Sequence, residues 1–112
     1  MQVRAVAKNV HVSPRKARLV LRELPGKSVG EAMTMLRFTP VPIARDIAKV
    51  VQSAAANAEN NYGLDTEDLR IVRATVDDAM RLRRFKAKAR GRAAPRIRRF
   101  SHITVVVEDT EA

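Results

Sequence analysis

The chain has 112 residues, 46% of them hydrophobic, and no cysteine, so it supports one small folded domain without disulfides, zinc ribbons or thiol nucleophiles. Two histidines, His11 and His102, are too few for an all-histidine metal cage. The N-terminal residues lack the apolar core of a signal peptide, and the longest uncharged stretch, Val50–Ala58, is about half a membrane span, so the expectation is a soluble intracellular protein.

Residues Gln2 to Val12 read as a strand whose phase breaks between Ala7 and Val10. Ser13-Pro14 predicts a helix start, with serine as N-cap and proline at the first helical position, where its missing N–H costs nothing. Ala17, Val20, Leu21 and Leu24 form its apolar stripe, and Arg15, Arg18 and Arg22 fall opposite, with Lys16 beside them. Pro25-Gly26 stops that helix. Ser28 with Glu31 is a capping-box pattern opening a second helix through Val29, Ala32, Met33 and Leu36. Thr39-Pro40 opens a third, with Pro42 in its first turn. Its stripe is Ile43, Ile47, Val50, Val51, Ala54 and Ala58, and it ends in Asn60-Asn61-Tyr62-Gly63. The period then changes to two. Leu69–Asp77 predicts a strand with Val72, Ala74 and Val76 on one face, and Ile103–Val107 a strand burying Ile103, Val105 and Val107. The order argues for an α+β fold: three helices packed on a small three-stranded antiparallel sheet, with a long protruding basic β-hairpin. The chain reads as a single domain, 1–112, with a body of 1–78 and 101–112 and an arm of 79–100.

The 22 Lys+Arg and 12 Asp+Glu give a formal net charge of +10. Arg81, Arg83, Arg84, Lys86, Lys88, Arg90, Arg92, Arg96, Arg98 and Arg99 are ten cations in a row without an acid, so the rest of the chain is neutral. Such a segment is the footprint of a polyanion-binding arm. Arg84, Lys86, Lys88, Arg90 and Arg92 alternate with Phe85, Ala87, Ala89, Gly91 and Ala93, a period of two that predicts an extended ribbon. Small side chains keep it thin enough to thread between phosphate-lined walls. A fold-back near Gly91–Ala93 would set Phe85 opposite Phe100. Aromatics are 4% of the chain, too few for a base-stacking platform, so phosphate and shape contacts are expected. The Arg15, Lys16, Arg18 and Arg22 face is a second candidate surface, equally readable as a solvated helix face. His11 beside it reads as another RNA-side contact or a plain surface residue.

Catalytic patterns fail on inspection. Gly26-Lys27-Ser28 resembles the end of a phosphate loop, but Leu21 stands where the motif needs glycine, and a helix precedes it in place of a strand. Asp77-Asp78 with His102 could approach one another as in a metal-dependent nuclease, though paired acids at a strand end are commonly solvated and His102 commonly a sheet residue. No nucleophile–base arrangement is readable. The expectation is a non-enzyme with no cofactor and no metal.

Ser13-Pro14-Arg15-Lys16-Ala17-Arg18-Leu19-Val20, Gly26-Lys27-Ser28-Val29, Glu31-Ala32, Ser53 through Asn60, Lys88-Ala89-Arg90-Gly91-Arg92-Ala93 and Ser101-His102-Ile103-Thr104-Val105-Val106-Val107 together resemble the bacterial large-subunit ribosomal protein twenty-two family over nearly the whole chain. Departures sit in the arm, at Asp78-Ala79-Met80, Ala87-Lys88 and Ala94-Pro95, and leave its charge and length intact. The resemblance implies a cytoplasmic, ribosome-bound protein that binds large-subunit (23S-type) ribosomal RNA and supports early assembly. It also implies a body near the peptide exit and a hairpin lining the nascent-peptide tunnel, close to ribosomal protein four. By position, Arg83, Arg84, Lys88, Arg90, Gly91, Arg92 and Ala93 would be the tunnel-lining tip. RNA contacts are expected from Arg15, Lys16, Arg18, Arg22, the ten arm cations and His102.

An alternative from another class is a DNA-architectural protein gripping duplex DNA with basic β-arms. That reading needs a dimer, and no apolar stripe is left over for one; the resemblance implies a monomer within the ribosome. A membrane-surface role fails because the ribbon has no wide apolar face.

Overall fold

The computed structural model describes residues 2–87 and 93–109, with side chains described for 2–79 and 99–109. Strand β1 (Gln2–Val10) is followed by helices α1 (Pro14–Leu21), α2 (Val29–Phe38) and α3 (Ile43–Tyr62), a 3-10 turn (Thr66–Asp68), and strands β2 (Leu69–Ala87) and β3 (Ala93–Asp109). The strands form an antiparallel sheet in the order β1-β3-β2, so the expected α+β architecture holds. β3 is central, and its Ile103, Val105 and Val107 are fully buried, as their alternation predicts.

The helices cover one face of this sheet. Ala17 and Leu21 of α1, Ala32 and Leu36 of α2, and Ile47, Val51, Ala54 and Ala58 of α3 join Val3, Ala5, Ile71, Val76 and the β3 residues in one core. Each buried Val, Leu or Ile contributes about 1.5–3 kcal/mol of transfer free energy. The alanines of α3 let its backbone approach the sheet.

Local chemistry sets the helix ends. The Ser28 hydroxyl accepts from the Glu31 N–H at 3.2 Å, as the capping-box pattern predicts. Ser13 occupies the N-cap position of α1, but its carbonyl serves the first turn, accepting from Lys16 and Ala17, and its side chain makes no cap bond. Helix α3 begins at Ile43, later than Thr39-Pro40 suggests. Val41 precedes Pro42, and a residue before proline is pushed out of helical geometry. Gly63 closes α3 at φ 65°, in the left-handed region glycine enters freely, and the Leu64 N–H then reaches the Ala58 carbonyl at 3.1 Å.

Two register shifts shape the body strands. In β1 the phase breaks between Ala7 and Val10, where Asn9 sits at φ 56°. In β2, Ile71 pairs with Val107 and Arg73 with Val106, so Val72 is an extra residue. This bulge corrects the expected phase: Ala74 and Val76 lie on the helix side with Leu69 and Ile71, whereas Val72 is exposed.

β2 and β3 do not stop at the ends of the body. Their pairing resumes after a third shift, between Asp78 and Arg81, and continues to Ala87 opposite Ala93. A 19-residue strand spans about 63 Å, in line with a longest extent of 65 Å. The radius of gyration is 17.1 Å, against about 13 Å for a compact chain of this length.

Candidate nucleic-acid interface

The buried stripe of α1 turns its remaining residues outward, and Arg15, Lys16, Arg18 and Arg22 are all exposed. Arg18 reaches back to the sheet, donating from Nη2 to the Val76 carbonyl at 3.4 Å. Val76 lies on the strand that carries the arm cations. The basic helix face is therefore fixed beside the root of the hairpin, and two segments distant in sequence become neighbours.

Along the hairpin the register pairs Arg81 with Arg99, Arg84 with Arg96, Phe85 with Pro95 and Ala87 with Ala93. The Phe85–Phe100 pairing does not occur, because the register sets Phe85 opposite Pro95, five residues short of Phe100. Phe100 instead stacks on His11, with ring centroids 5.0 Å apart and planes at 25°. Arg83, Lys86, Arg98 and Ala93 also lie within the paired strands. Lys88, Arg90, Gly91 and Arg92 lie outside the described residues, and with them most of the expected tip.

Like-charged residues placed directly opposite disfavour pairing. The 81/99 and 84/96 pairs put arginine opposite arginine in a segment with no acid. A polyanion would relieve that repulsion.

The Ser101-His102-Ile103 run acts at the junction of body and hairpin. Ser101 is fully buried and donates its hydroxyl to the Val12 carbonyl at 2.7 Å. His102 Nδ1 accepts the Asn9 N–H at 3.1 Å, leaving Nε2 for another partner. These bonds hold residues 9–12, the entry to α1, against the central strand. The sequence gives no periodic signal for this cross-strand latch, and only the β1 phase break points toward it.

The turn that resembles a phosphate loop is taken up by structure. The Gly26 N–H donates to the Ile71 carbonyl at 2.8 Å and the Lys27 carbonyl accepts from the Ile71 N–H at 2.9 Å, so this turn pairs with the edge of β2. Asp77 does stand opposite His102. Among the described residues, however, no group of three or more potential metal ligands comes together. Nor is any helix among them long and apolar enough to cross a membrane.

Comparison with known proteins gives a consistent result. The sequence profile of the family described as Ribosomal protein L22p/L17e matches residues 5–108. A protein named large ribosomal subunit protein uL22 from Thermoanaerobacter sp. (strain X514) is 47% identical over 111 residues, covering 99% of this chain and all of the relative. Proteins of the same name from Dehalococcoides mccartyi and Finegoldia magna are 48% and 46% identical, over 97% and 99% of this chain and 100% and 99% of their own lengths. With its basic helix fixed beside a cationic hairpin, the chain belongs to the ribosomal protein L22p/L17e family.

Proposed function

We propose that this chain is a structural constituent of the large ribosomal subunit that binds 23S-type ribosomal RNA and supports early subunit assembly in the cytoplasm. Its family is structural and non-enzymatic. The body, residues 1–78 and 101–112, sits near the peptide exit, and the arm, 79–100, lines the nascent-peptide tunnel beside ribosomal protein four. Arg81, Arg83, Arg84, Lys86, Lys88, Arg90, Arg92, Arg96, Arg98 and Arg99 supply the arm's phosphate contacts. Arg15, Lys16, Arg18 and Arg22 extend the surface onto α1, with His102 at the junction. The tip, from Arg83 and Arg84 through Lys88, Arg90, Gly91, Arg92 and Ala93, faces the nascent peptide.

The observation that carries this reading is the antiparallel hairpin that pairs arginine with arginine and contains no acid. Self-repulsion of this kind suits a partner dense in phosphate. A salt titration tests it. With about eight phosphates engaged, the slope of log K against log salt is about −6 to −7 on large-subunit RNA. A slope near zero would refute it.

A further inference from the structure

The helices cover one face of the sheet and leave the other open. On the open face the register sets Arg4, Val106 and Arg73 abreast across the three strands, with Val6, Thr104 and Thr75 abreast in the next row. The Val72 bulge creates this arrangement. In a regular strand Arg73 would share the buried side of Leu69 and Ile71; one extra residue turns it outward. Arg4, Arg73, Thr75, Thr104 and Val106 line a shallow saddle of about 740 Å³, joined by Tyr62 from the end of α3.

The charges on this face are unevenly placed. Glu108 stands opposite Arg70 in one outer row, and Asp77, which lines the end of the saddle, stands opposite His102 one row beyond Thr75 and Thr104. The row holding Arg4 and Arg73 contains none. Neither arginine makes an ion pair with another described residue, and neither threonine hydroxyl makes a hydrogen bond there. Two strand spacings separate the arginines by about 10 Å, and the hydroxyls beside them can donate or accept. The A-form RNA minor groove is wide and shallow, with 2′-hydroxyls between two phosphate strands. An apolar protein surface would leave both arginines unpaired, and duplex DNA would offer the hydroxyls no ribose partner.

We infer that this saddle is a second RNA-docking surface, gripping duplex RNA across its minor groove with Arg4 and Arg73 on phosphates and Thr75 and Thr104 on ribose 2′-hydroxyls. The inference rests on the RNA-binding reading above. It is tested with the full chain on deproteinised large-subunit RNA by hydroxyl-radical footprinting and salt titration. An Arg4→Gln/Arg73→Gln double variant, whose exposed positions leave the core intact, loses one cluster of protections in a base-paired stem. Its salt slope becomes shallower by about two, while protections that depend on the arm persist. A Thr75→Val/Thr104→Val variant loses its preference for an RNA duplex over DNA of the same sequence. Unchanged protections and slope in the arginine variant would overturn the inference while leaving the arm reading intact. A wild-type chain that protects nothing would sink both.

Discussion

Ser101→Ala removes one oxygen from the junction where β1, the start of α1 and the hairpin meet. The hydroxyl is fully buried and donates to the Val12 carbonyl at 2.7 Å, and a neutral hydrogen bond of this kind contributes about 0.5–1.5 kcal/mol. A carbonyl orphaned in a dry core would raise the loss toward 3 kcal/mol. With Val12 only half-buried, the loss is taken at the middle of the neutral-bond range, about 1 kcal/mol. For a chain of this length, with an unfolding entropy of about 2.1 cal/mol/K per residue, that lowers Tm by roughly 4 °C. The loss falls at the entry to α1, so amide exchange at Lys16 and Ala17 should accelerate more than exchange in α3. Thermal melts and hydrogen exchange on wild type and Ser101→Ala measure both effects. A variant as stable as wild type, with unchanged exchange in α1, would refute the latch.

Three further outcomes follow from the same geometry. Val105→Asp places an unpaired carboxylate in the fully buried central strand and unfolds the domain, read by loss of the native circular dichroism spectrum; a cooperatively folded variant would mean the strand faces are inverted. Gly63→Ala costs about 1 kcal/mol from backbone strain alone, since φ is +65° and no atom lies within 4 Å of an added Cβ, and equal stability of the two proteins in urea would contradict the cap. Replacing Lys86, Lys88, Arg90 and Arg92 together by alanine leaves Tm within about 2 °C, since body residues build the core, yet makes the salt slope of RNA binding shallower by about three to four; loss of cooperative folding would show that the arm is part of the core.

Regular periodicity made much of the fold legible in the sequence. Ile103, Val105 and Val107 alternate without interruption, and all three are buried. The α3 stripe from Ile43 to Ala58 likewise survives intact, because no proline or bulge falls within it. Errors arose where one residue changed the phase. Val72 reads as a core position until the partner strand is known, since a bulge is defined by two strands and has no signature in one. The Phe85–Phe100 pairing failed for a similar reason: hairpin register depends on where the chain turns, and alternating basic and small residues specify that weakly. The arm's charge was plain from composition. Arg18's bond to Val76, which joins the basic helix face to the arm's root, depends on tertiary packing and could not be read from either segment alone.

Ultraviolet crosslinking in the native cell, followed by sequencing of the attached nucleic acid and mapping of the crosslinked peptides, tests the central claim most directly. The account predicts a few discrete peaks in large-subunit ribosomal RNA, with residues 81–99 among the crosslinked peptides. Crosslinks spread over chromosomal DNA or many messengers would contradict it and make the arm a general polyanion clamp.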